Sequence, residues 1–184
     1  MSTTQMAYVP QKTRSWAMSA VILGSLFVLL SLPNVFQFSK SAAMFGTGKA
    51  SVSLVLTIVS LLVSVAFIVG GASTLKGSAG GRETLSYAGA GGAALTVLSC
   101  VWGLIMFNDP VYAGIFNQAK GAGGGPALPP DMVSHILLGM EIAVVVMTII
   151  QLAYCIGIYR NMSADLGDMP ASVDAGAWPP PPQG

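Results

Sequence analysis

Charge is what this sequence has least of. Lys and Arg number 8 and Asp and Glu 7 in 184 residues, so charged residues make up 8% of the chain, about a third of the share usual in a soluble domain. With 53% hydrophobic residues beside so little charge, a water-soluble globule is excluded. The net charge of +1 is too small and too scattered for a nucleic-acid footprint. One histidine and two cysteines cannot assemble a four-ligand zinc site or a bis-histidine haem site, and no CxxC pair is present. No metal and no cofactor is therefore expected. The nucleophile elbow, the phosphate-binding Walker loop and the HExxH helix are all missing, so an enzyme is not expected either.

What is present is grease in long runs. Every charge except Glu141 falls outside four apolar stretches at about 15–36, 50–75, 84–107 and 132–159. A helix needs about 20 residues to cross the hydrocarbon of a bilayer, and each stretch supplies them. The fold class expected is an all-α membrane protein, an antiparallel bundle of four transmembrane helices. Residues 1–14 form a segment before it and residues 160–184 a disordered, acidic, Pro-rich tail that ends in WPPPPQG. Pro33 and Pro110 are expected to stop the first and third spans, since proline lacks the N–H that a helix needs. Gly77, Gly80 and Gly81 mark a short turn between the second and third. The apolar run after Trp16 exceeds a signal-peptide core, so it reads as a span, not an export signal.

Orientation follows from Lys and Arg near the span ends. Lys12, Arg14, Lys76, Arg82 and Arg160 lie on one side, and Lys40, Lys49 and Lys120 on the other. The excess places both termini in the cytoplasm of a plasma-membrane protein.

Helices in lipid associate through small residues that let backbones approach. Such seams occur in the second span at Ser53, Thr57, Ser60 and Ser64, with Gly71 beyond. They recur in the first at Ala17, Ala20, Gly24 and Ser31, and in the third at Gly89, Gly92, Ala93, Thr96 and Gly103. In the fourth, Ser134, Glu141, Thr148 and Cys155 recur every seven residues, with Gln151 on the same face. This row is expected to face protein or water. Counted from Met132, Glu141 falls about 13 Å inside the span, level with Ser25, Thr57, Ser60, Ser99 and Cys100. There it would act as an inter-helix hydrogen bond or as a proton or cation relay. His135 reads as an interfacial polar residue. Cys100 and Cys155 fall about 20 Å apart in depth, too far for a disulfide.

The Gly/Ala/Val-rich spans, the GAGGGPALPP loop at 121–130 and the WPPPPQG tail resemble small four-span proteins of actinobacterial envelopes, many without assigned activity. Some of these look like accessory subunits of larger membrane machines, including lipid-import and respiratory assemblies. The tetraspanin CCG is absent, and small multidrug exporters are similar only in having one membrane glutamate, which in them lies in the first span. The expected function is a non-enzymatic accessory or scaffolding subunit, with membrane lipid and larger integral membrane subunits as partners. The alternative is a small proton- or cation-coupled transporter or channel using Glu141.

Overall fold

The computed structural model describes residues 9–112, 114 and 129–167, with side chains described through residue 164. The described residues are helical throughout, with no strand among them. Four long helices, α1 (Gln11–Phe36), α3 (Thr47–Leu75), α4 (Ala79–Phe107) and α5 (Pro130–Gly167), are joined by turns and by a short helix α2 (Phe38–Phe45). All four long helices are long and apolar enough to cross a membrane. The loop at 121–128 and the tail at 168–184, both expected to be irregular, lie outside the described residues.

Three boundaries differ from expectation. Pro33 lies inside α1, three residues before its end at Phe36, so the helix tolerates the loss of the one hydrogen bond that the missing N–H would have made. The segment after it is helical as well. Phe38, Ser41, Ala42 and Phe45 are half-buried while Ser39, Lys40, Ala43 and Met44 are exposed, the i, i+3, i+4, i+7 pattern of an amphipathic helix packed along α3. Finally, α5 runs past Tyr159 to Gly167, so the first residues assigned to the tail continue the helix.

The turn between α3 and α4 is built by hydrogen bonds the sequence encodes. Gly77 adopts φ +84°; its N–H donates to the Thr74 carbonyl, and that of Ser78 donates to Ser73. This is a Schellman closure, which needs the left-handed conformation that glycine adopts without strain. The Ser78 hydroxyl then caps α4 by accepting from the Gly81 N–H.

Successive long helices run in opposite directions and pack in a row. Gly71 of α3 lies on the Ala17 carbonyl of α1, Gly70 on the Leu85 backbone of α4, and Gly89 of α4 on the Cys155 carbonyl of α5. The row closes on itself at one end only. Trp16 of α1 leans on Tyr154 with ring centroids 5.8 Å apart and seats on Gly157, and the Ser19 hydroxyl is 3.1 Å from the Tyr154 hydroxyl. Ala17, Ala20, Phe67, Leu85, Ala88, Cys155, Ile158 and Met162 form the core. They all lie in the half of the molecule that carries Arg82, because that half holds the glycines and alanines that let backbones touch. Toward the other end, which carries Asp109, α1 and α5 separate.

Candidate functional site

Three places concentrate polar chemistry: the Arg82 end, the Asp109 end, and a chamber between them.

At the Arg82 end, the side chain of Arg82 is 1% exposed and among the largest fully buried side chains. It is engaged there, not free. Thr74 is fully buried nearby in sequence terms at the end of α3, its hydroxyl donating to the Gly70 carbonyl. The Ser86 hydroxyl pairs with that of Ser163 at 2.8 Å and ties α4 to α5. Sequence reasoning placed Arg82 before the third span, among the cations counted near the span ends. The structure starts α4 at Ala79 and carries the guanidinium inside. The N-capping Ser78 was the available signal, since it starts the helix four residues before Arg82.

At the Asp109 end, Lys49 forms an ion pair with Asp109, whose side chain is 5% exposed. The second carboxylate oxygen accepts from the Val111 N–H at 3.0 Å. Asp followed by Pro110 at the next position is a helix start, and helical backbone resumes at Pro110. Tyr112 then stacks on Phe45 and meets Phe107, with centroids 5.1 and 5.2 Å apart. One clamp thus joins α2, α3 and α4. The hydrogen bond from Lys49 holds the Asp109 carboxyl below its ordinary value of 3.8, the Val111 N–H adds to this, and partial loss of water opposes it. A carboxyl lowered on folding contributes stability that is complete above the unfolded value and vanishes as pH falls through the folded one. The near-UV circular dichroism of the Phe45–Tyr112–Phe107 cluster should therefore hold steady from neutral pH down to 3.8 and change only below it. Lys49→Ala should move that change upward; a wild-type transition centred above 3.8 would refute the clamp.

The expected heptad row on the fourth span divides between these regions. Ser134 is exposed, and its hydroxyl donates to the Asp131 carbonyl. Glu141 accepts from the Asn108 side chain at 3.2 Å, just past the end of α4. It therefore stands beside Asn108 and not beside Ser99, Cys100, Thr57 or Ser60. The depth estimate fails because it started all spans at one plane. Antiparallel packing sets Val144 near Gly103 and leaves residues 130–140, about 16 Å of helix, beyond the last turn of α4. The Thr148 hydroxyl donates to its own helix at Val144. Gln151 and Cys155 line the central chamber. Cys100 and Cys155 are both free. Cys155 sits against Gly92, two turns or about 12 Å along α4 from Cys100, closer than expected but still beyond disulfide reach.

The small-residue positions are brought together as close contacts. A Cβ on Gly89 would lie 2.9 Å from the Cys155 carbonyl oxygen, and one on Gly92 3.1 Å from the Cys155 sulfur. Ala93 packs against the core, and Ser64 is buried with its hydroxyl donating to Ser60. Thr57 bonds back to the Ser53 carbonyl, and the Ser53 hydroxyl accepts from Trp102 Nε1 at 2.8 Å, joining α3 to α4.

The chamber has a volume of about 210 Å³ and is walled by all four long helices, with Phe27, Ser60, Phe67, Leu95, Ser99 and Gln151 among its lining. No charged side chain lines it. Among the described residues, no group of three or more His, Cys, Asp or Glu is placed to hold a metal. Comparison with family models, with curated proteins and with solved structures finds no match to this chain.

Proposed function

We propose that this chain is a non-enzymatic accessory or scaffolding subunit of a plasma membrane, which packs sideways against a larger integral membrane assembly. The observation that carries the reading is the outward face of α4. Tyr87, Gly91, Ala94, Leu98, Val101 and Ile105 are all exposed and recur at spacings of four and three, the seam of a helix–helix contact. A Cβ added at Gly91 would meet nothing within 4 Å. α4 therefore carries small residues on two faces, one occupied by α5 and one open. In lipid, small residues gain little from solvation and much from a close neighbour. The accessory subunits of lipid-import or respiratory machines, which the composition resembles, would use such a face.

Both termini are placed in the cytoplasm by the same proposal. With Arg82 buried, Lys12, Arg14, Lys76 and Arg160 still present four exposed cations at that end, while Lys49 at the other is tied to Asp109. Glu141 lies outside the chamber with Asn108 as its partner, and no observation favours the transporter alternative over the subunit.

Purification of the intact protein from its native membrane in mild detergent should recover stoichiometric larger membrane subunits. Gly91→Leu should release them while the chain itself stays folded. A solitary, monodisperse monomer from the wild type would overturn the proposal.

A further inference from the structure

α1 and α5 touch where Trp16 and Ser19 meet Tyr154 and Gly157, and that contact forms a floor. Beyond it the two helices part, and Leu26, Leu29 and Leu30 on one and Val146, Ile149 and Ile150 on the other are exposed. The central chamber begins just above the floor, lined from α1 by Leu23 and Phe27 and from α5 by Gln151 and Tyr154, next to these exposed apolar side chains.

We propose that the chamber binds a neutral, membrane-dissolved amphiphile, a hydrocarbon chain or ring bearing one hydroxyl or carbonyl that pairs with the carboxamide of Gln151. Three observations converge on that chemistry. The first is the lining. Leu23, Phe27, Val63, Phe67 and Leu95 offer apolar walls, and there is no cation to balance a carboxylate or phosphate, so a charged ligand would be left uncompensated in low dielectric.

The second is unmet polar demand, greatest at Gln151, with the hydroxyls of Ser60 and Ser99 on the same walls also making no hydrogen bond among the described residues. The hydroxyls of Ser64 and Thr96 donate to carbonyls of their own helices, and that of Tyr154 is joined to Ser19. Gln151, one turn from Cys155 on the chamber wall, makes no hydrogen bond among the described residues. Its carboxamide has two donors and an acceptor, and it stands about 12 Å inside the nearer end of the apolar stretch of α5. An amide in that position loses free energy until a polar group meets it.

The third is size. An engineered apolar cavity of about 150 Å³ holds benzene, so about 210 Å³ accommodates a ring or a stretch of chain together with one small polar group. A phospholipid headgroup does not fit. This proposal stands independently of the subunit reading, because the chamber and the outward face of α4 lie on different sides of that helix.

The test uses the full chain in phosphatidylcholine vesicles with a diazirine-bearing hexadecanol, irradiated and mapped by peptide mass spectrometry. Saturable labelling is expected at Leu23, Phe27 and Leu95. Unlabelled hexadecanol should compete about tenfold better than hexadecane, equivalent to about 1.4 kcal/mol and in line with one hydrogen bond in lipid. Gln151→Leu should erase that alcohol-over-alkane preference without moving the label, and Ser60→Leu, which fills the chamber, should suppress labelling altogether. Both variants are first checked for a single size-exclusion peak; if either fails, the wild-type competition decides alone. Label spread evenly over lipid-facing positions such as Leu29 and Ile149 would overturn the proposal. So would label insensitive to hexadecanol and diluted only by added phospholipid, since bulk acyl chains would then be the occupants.

Discussion

Leucine in place of Gly89 should break the pairing of α4 with α5, whereas leucine in place of Gly91, two residues along the same helix, should leave the fold intact. The difference lies in what each new side chain meets. At Gly89 even a first carbon would come within 2.9 Å of the Cys155 carbonyl oxygen and 3.0 Å of the Tyr159 nitrogen. Both are backbone atoms of α5, and they cannot turn aside as a side chain does. The helices must separate, and separation undoes the packing of Leu85, Ala88, Ile158 and Met162 together. Overpacking costs typically 1–3 kcal/mol, and rigid backbone on the far side puts Gly89→Leu at the upper end, about 3 kcal/mol. At Gly91 there is open space. Unfolding in a graded denaturing detergent, followed by tryptophan fluorescence, should show a large shift for the first variant and a negligible one for the second. Equal shifts would mean that the glycines matter through helix propensity and not through close approach.

The Gly89 face was legible in the sequence because two ordinary rules agreed. Hydropathy fixed four spans, and the spacing of glycine, alanine and serine within them marked the faces that now lie at Gly24, Ser64, Gly71, Gly89 and Gly92. Those rules describe single helices, and they falter where the answer depends on how helices are set against one another. Glu141 illustrates this. Its neighbour depends on the register with α4, and register is decided by which small residues nest together. The pairing of Gly89 with Cys155 leaves the first turns of α5 beyond α4, and the carboxylate meets Asn108 instead of Ser99.

The α2 helix was missed for another reason: its four half-buried residues repeat with helical period, yet the stretch is too short to register as a hydropathy signal. Pro33 was overread: it costs one backbone hydrogen bond and crowds the carbonyl of Leu29, yet α1 continues three residues past it. The chamber was beyond the reach of sequence altogether. Gln151 was singled out as part of a polar face, but a cavity exists only where four helices diverge.

Arg82 gives the other large effect, and it separates packing from charge. Replacing it by alanine should destabilise the protein by about 3 kcal/mol or more, the range for removing one member of a buried charged contact and for emptying a large core site. Arg82→Met keeps most of the volume and discards the charge, whereas Arg82→Lys keeps the charge and discards the planar fork of donors. The expected order of stability in the same detergent titration is wild type, then lysine, then methionine, then alanine. The reasoning runs from burial: a guanidinium that is 1% exposed has given up its water, so whatever it engages within the chain must compensate for that loss, and a neutral thioether cannot. A methionine variant as stable as the wild type would show that the side chain is only a filler at the closed end of the bundle. The predicted gap between methionine and wild type therefore measures how much of the tight half of this fold is held by charge in addition to its glycines and alanines.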